Sequence, residues 1–206
     1  MQKFLVLFLS LSFAAFAQSS NQQSKSAAAK KGGNPDAQFA TKAAQGNMAE
    51  VALGKLALQN GQSDDVKKFG QHMVDDHSKA EQDLEGVASK NNLTLPQDVN
   101  VQQKAEQTRL SKLNGAAFDR AYMRLMVQDH TKDVAEFKKE ANRTASNGDL
   151  RDYAKRNYPT LDDHLTMAKA VNDALTAKAG GKSAPKSPKK NSSDTKSSGG
   201  PGLLLI

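Results

Sequence analysis

One short motif occurs twice at a fixed interval, and it constrains the fold more than any other stretch of the chain. Met73-Val74-Asp75-Asp76-His77-Ser78-Lys79 returns 53 positions later as Met126-Val127-Gln128-Asp129-His130-Thr131-Lys132, and a shorter Leu161-Asp162-Asp163-His164 follows. The flanks match as well, Phe69 with Tyr122 and Leu84 with Phe137. Three of the four histidines therefore share one local sequence. Around each copy the apolar residues recur in steps of three and four, the spacing of a helix that buries one face. The chain is thus expected to be all-α, with its repeated histidines on the buried faces.

Taken in order, the same spacing predicts four long helices. The first runs from an N-cap at Asp36 to Gln59, with Phe39, Ala43, Gly46, Leu53 and Ala57 on one stripe and Glu50 in a slot of that stripe. The second follows Gln62-Ser63-Asp64-Asp65, whose acids suit a helix N-terminus, and carries Val66, Phe69, Met73, His77, Ala80, Leu84 and Val87 to a stop near Asn91-Asn92. The third is expected over residues 116–145 with Phe118, Tyr122, Met126, His130, Val134, Phe137 and Ala141 on its stripe. Ser146-Asn147-Gly148-Asp149 turns the chain into a fourth helix, with Leu150, Ala154, Asn157, Leu161, His164, Ala168, Val171 and Leu175 facing inward. Pro159 is expected to kink or split that helix, because it removes a backbone donor.

The segment between the second and third helices contains Pro96 and one short candidate helix over residues 102–113, and is too long for a tight turn. Two helical hairpins joined by such a crossover make a four-helix bundle. In that arrangement the two long repeat copies run parallel and can lie side by side.

The ends differ in character from the middle. Lys3, an apolar run over residues 4–16 and Ala15-Phe16-Ala17 read as a secretory signal peptide over residues 1–17, cleaved before Gln18. The run is too short to span a bilayer, so an exported protein of the periplasm or cell envelope is expected. Residues 18–35 read as a flexible linker, residues 36–177 as the helical domain, and residues 178–206 as a disordered tail rich in Lys, Ser and Pro. Without Cys there is no disulfide framework and no lipid-bearing cysteine.

The net charge of +7 belongs to those ends, since residues 36–177 hold 19 Lys+Arg against 21 Asp+Glu. The partner that this charge suggests is an anionic polymer or lipid of the cell envelope, met through the basic tail, and no specific nucleic acid.

Four ionisable groups occupy buried-stripe positions near the middles of the helices: Glu50, His77, His130 and His164. Counted from the turn at Asn147, His130 and His164 are level in an antiparallel pair. Glu50 falls about one turn to the side of His77 at about 1.5 Å per residue. Two readings of this layer stand side by side. Imidazoles on facing helices suit a site for Zn, Cu, Fe or Ni, with Glu50 as a further ligand. The alternative is a hydrogen-bonded layer that fixes helix register, in which Asp76, Asp129, Asp133 and Asp163 pair with histidine or with basic residues. An Asp directly before a His points about 100° away from it on a helix, so neighbours in sequence are not partners.

Four separated segments carry a family resemblance: Phe39 to Ala57, Phe69-Gly-Gln-His-Met-Val-Asp-Asp-His77, Gly115-Ala-Ala-Phe-Asp-Arg-Ala-Tyr122 and Tyr158-Pro-Thr-Leu-Asp-Asp-His164. In order and spacing the chain resembles a bacterial family of exported proteins labelled "predicted outer membrane protein", within the ferritin-like helical superfamily. The resemblance implies a ferritin-like bundle over residues 36–175. It does not imply ferritin chemistry: di-iron carboxylate proteins use Glu-x-x-His, whereas Val74, Val127 and Leu161 stand three residues before the histidines here. No phosphate loop, nucleophile elbow or cysteine–metal spacing is present. The expected role is binding or interaction without an assignable reaction, the alternative being a metal-binding or metal-dependent redox protein built on the histidine layer.

Overall fold

The computed structural model describes residues 33–180, which form five helices. The signal peptide expected over residues 1–17, all but the end of the linker, and the tail beyond Gly180 lie outside the described residues.

Helix α1 spans Pro35–Asn60, α2 Asp64–Lys90, α3 Val101–Leu110, α4 Gly115–Ala141 and α5 Gly148–Gly180. Most expected stripe positions are buried, while Gly46, Val87, Val134, Ala141, Asn157, Val171 and Leu175 are only half-buried. The buried ones are Phe39, Ala43, Glu50, Leu53 and Ala57 on α1, and Val66, Phe69, Met73, His77, Ala80 and Leu84 on α2. Phe118, Tyr122, Met126, His130 and Phe137 follow on α4, and Leu150, Ala154, Leu161, His164 and Ala168 on α5. The short helix expected in the crossover is α3. It opens with a capping box in which the Asn100 side chain accepts from Gln103 N and Gln103 Oε1 accepts from Asn100 N, both at 3.0 Å.

Four expectations are corrected. The N-cap of α1 is Asn34, whose side chain accepts from Asp36 N at 2.9 Å, with Pro35 at the first helical position. Asp36 instead pairs with Arg143 and accepts from Asn147 N at 3.1 Å, tying the start of α1 to the turn before α5. Helix α4 ends at Ala141 rather than residue 145, because Arg143 turns back onto Glu140 and Asp36 while Ser146 donates to Glu140. Pro159 does not split α5: it sits on an exposed face of an uninterrupted helix, which reaches Gly180, three residues past Ala177. Lastly, α2 and α4 do not pack side by side. The helices pack as the pairs α1–α2 and α4–α5, and α2 meets α5 while α1 meets α4.

The α1–α2 contact depends on small residues. A Cβ added at Gly54 would lie 2.6 Å from the Gly70 carbonyl oxygen, and one at Gly70 would lie 2.7 Å from the Ala57 Cβ, so two backbones run almost in contact. Gly70→Ala therefore forces the helices apart, and overpacking of about 1–3 kcal/mol outweighs the gain of about 1 kcal/mol in helix propensity. A lowered Tm is expected. Gly86→Ala is the control: a Cβ there meets nothing within 4 Å, so the same substitution should raise Tm.

Buried apolar residues form two clusters, one around Leu53, Phe69, Met73, Phe118, Tyr122 and Met126 and the other around Phe39, Leu84, Phe137, Leu150, Tyr153 and Leu161. Along α2, α4 and α5 each histidine falls between members of the two clusters, and along α1 Asn47 and Glu50 do. A polar layer thus crosses the middle of the helix assembly.

Candidate metal centre

His77, His130 and His164 come together. Their ring centroids lie 5.8 Å (His77–His130), 5.5 Å (His77–His164) and 5.4 Å (His130–His164) apart. One nitrogen from each ring comes within 4.8 Å of its counterparts in the other two. The rings are 5%, 0% and 1% exposed, and Phe69 stands edge-on to His130 and His164. Three helices that contact each other mainly in pairs thus each contribute one imidazole to one point.

Each imidazole is held by an acceptor on one side only. His77 Nδ1 donates to Asn47 Oδ1 at 3.0 Å, and the Asn47 amide is oriented by donating to Glu81 at 2.9 Å and to the Tyr153 hydroxyl at 3.3 Å. His130 Nδ1 donates to the Met126 carbonyl at 3.0 Å. His164 Nε2 donates to Asp76 Oδ2 at 2.9 Å, the Asp coming from α2 and the His from α5. A carbonyl and a carboxylate can only accept, so these contacts fix the tautomers of His130 and His164. The Asn47 orientation fixes that of His77. The other nitrogens, His77 Nε2, His130 Nε2 and His164 Nδ1, are buried lone pairs with no hydrogen-bond partner. Each unsatisfied buried polar atom costs about 1–3 kcal/mol, and three of them occur in one cluster.

The electrostatics keep the rings neutral. Burial pushes the His130 imidazolium down to about 3, with His164 adding to the effect and the Met126 carbonyl opposing it. Burial, then His130 and His164, holds His77 well below its ordinary value. Burial lowers His164 too, against the opposing hydrogen bond from Asp76. Neutral imidazole is the form that binds a metal.

Glu50, the fourth residue expected in the site, is buried at 3% exposed but does not join the triad. Its carboxyl lines a separate cavity of about 290 Å³ between α1, the start of α3 and α4. Burial, then Asp133 and Asp129, raises its pKa well above the carboxylate range. The acids weighed in the sequence divide similarly. Asp76 holds His164, Asp129 pairs with Lys132 at 3.2 Å, and Asp163 is exposed. The residue that sequence reasoning missed is Asn47. It lies on the same inner face as Ala43 and Glu50, so a stripe read as 43, 47, 50 rather than 43, 46, 50 would have found it.

The fold and site define an all-α protein with a buried histidine triad. The chain belongs to the family described as "Domain of unknown function (DUF4142)", which matches residues 21–171. Among solved structures it is similar to a crystal structure of a DUF305 fragment from Deinococcus radiodurans, at 16% identity and a TM-score of 0.60, over 68% of this chain and 97% of that one. At that identity the likeness concerns the fold alone. No curated protein gives a match.

Proposed function

We propose that the chain binds one transition-metal ion through His77 Nε2, His130 Nε2 and His164 Nδ1. The observation that carries this reading is the set of three fixed tautomers, which leaves three buried lone pairs without partners on three rings whose centroids lie 5.4–5.8 Å apart. A layer serving only helix register would satisfy those atoms or replace them with apolar ones. All three donors are imidazole nitrogens, which suits Zn, Cu, Ni or Fe. Tetrahedral nitrogens about 2.0–2.1 Å from zinc stand about 3.3 Å apart, so binding draws the rings inward by up to about 1.5 Å.

Asp76, Asn47 and the Met126 carbonyl accept from the opposite ring nitrogens, the hydrogen bonds that orient metal-bound histidines. The cavities touching His77 are small, about 10 and 30 Å³, room for a water or two rather than a substrate. That size favours binding or sequestration of the ion over catalysis on a larger molecule. The signal-like N-terminus supports placing this role in the periplasm or cell envelope. The α1–α2 and α4–α5 pairs with α3 in the crossover favour a ferritin-like four-helix bundle as their frame.

Titration of the chelator-treated protein with Zn²⁺ or Cu²⁺ tests the reading. One ion per chain is expected, and the absence of stoichiometric binding of either would overturn it. Asp76→Asn keeps an acceptor but removes the charge, and should weaken the ion about 10–100-fold with the helical signal unchanged.

A further inference from the structure

The cavity beside the triad has a different chemistry. Its polar lining is mostly oxygen, with carboxylates from Glu50, Glu106, Asp129, Asp133 and Glu136 and amides from the start of α3, beside the two lysines Lys42 and Lys132. Three of those acids already have a base: Glu136 pairs with Lys42 at 2.9 Å, Asp129 with Lys132 at 3.2 Å and Glu106 with Arg109 at 2.8 Å. Glu50 and Asp133 have none within ion-pair distance. Glu50 is 3% exposed, and its Oε2 is a buried oxygen with no partner. The ionised cavity therefore carries two uncompensated negative charges on opposite helices, α1 and α4.

We propose that this cavity holds a hydrated divalent cation of the hard, oxygen-seeking class, Mg²⁺ or Mn²⁺, between Glu50 and Asp133. The charge matches, and the donors are those such ions take. The ion keeps its water. Among the described residues, no three carboxylates of this cavity bring their oxygens within 4.8 Å of one another, so the protein does not supply a full inner shell of its own. A volume of about 290 Å³ accommodates a cation with its inner water shell, at about 30 Å³ for each water. Magnesium dehydrates reluctantly and is commonly held this way by one or two carboxylates.

The state of the two acids agrees with a missing counter-charge. Burial and then Asp129 raise Asp133 to about 7, and burial and then Asp133 raise Glu50. The protein would thus sort two metals by donor type, nitrogen in the triad and oxygen in the cavity lined by Glu50 and Asp133.

Mn²⁺ is the probe, read by the loss of its free EPR signal and by enhanced water-proton relaxation, which reports retained water. The full-length protein and a His130→Leu variant should each bind one Mn²⁺ of this kind, displaced by Mg²⁺. Glu50→Gln and Asp133→Asn should each weaken it at least tenfold while Zn²⁺ stoichiometry at the triad stays the same. Three outcomes overturn the proposal: no saturable Mn²⁺ binding, binding unchanged in both carboxylate variants, or binding lost with His130→Leu, which would put the ion in the triad. Displacement by spermidine at lower concentration than by Mg²⁺ would also overturn it, since the site would then suit an organic cation. Because the His130→Leu arm has no triad, the result stands whether or not the triad binds metal.

Discussion

A His130→Leu protein is expected to keep its helices and lose its transition metal. His130 is fully buried, donates only to the Met126 carbonyl within its own helix, and faces Phe69. Leucine fits such an environment. Zinc sites with four ligands bind with apparent energies of about 10–16 kcal/mol, so one ligand is worth about 3 kcal/mol, roughly a hundredfold or more in affinity.

The metal-free variant should also resist acid better than the parent. His130 is depressed to about 3 in the folded protein against about 6.5 unfolded. Below pH 6.5 the unfolded chain then binds the proton that the folded chain refuses. The His130 contribution is therefore undiminished above that pH and turns into a loss as pH falls, by about 1.4 kcal/mol per unit. Urea unfolding at pH 7.5 and pH 5 checks this. The difference between the two pH values should shrink in His130→Leu, and an unchanged difference would mean that His130 is not the buried neutral ring described above.

Glu50→Gln should act in the opposite pH range. Its folded pKa is raised by burial, then by Asp133 and Asp129, so the folded chain holds a proton that the unfolded chain releases above about pH 4.3. The cost of Glu50 is absent at low pH and grows as pH rises toward its folded pKa, again by about 1.4 kcal/mol per unit. An uncharged isostere removes it. With divalent ions chelated, the variant should be more stable than the parent at pH 7.5 and nearly equal to it at pH 4.5. A variant less stable at neutral pH would show that Glu50 has a partner that compensates its charge.

The periodic part of the fold was legible in the sequence because burial on a helix repeats every three to four residues. Phe69, Met73, His77 and Leu84, with their counterparts Tyr122, Met126, His130 and Phe137, mark two buried faces unaided. The level placement of His130 and His164 followed from counting residues about Asn147, and the displacement of Glu50 from counting along the first two helices to His77.

What the sequence withheld lies in contacts between residues far apart. The diagonal placement of α2 and α4 depends on how the two helix pairs associate, which no single stripe encodes. The short end of α4 depends on Asp36, more than a hundred residues away, drawing Arg143 and the Asn147 amide toward it. Asp119 looks like an ordinary helix-surface acid, yet it is buried and accepts from Gln62 N and Ser63 N at 3.0 Å, capping the start of α2. The adjacent pair Asp76-His77 reads as one unit in sequence, but the helix turns Asp76 toward His164 on α5 while His77 faces Asn47 on α1. Which ring nitrogens remain free, and hence whether the histidines form a site, follows only from those cross-helix partners.

Anomalous diffraction at the zinc edge, from crystals grown with one equivalent of Zn²⁺, tests the central claim most directly. A single strong peak within about 2.0–2.1 Å of His77 Nε2, His130 Nε2 and His164 Nδ1 is the result expected. Zinc bound only at surface carboxylates or at His72, with the three buried rings left apart, would contradict it.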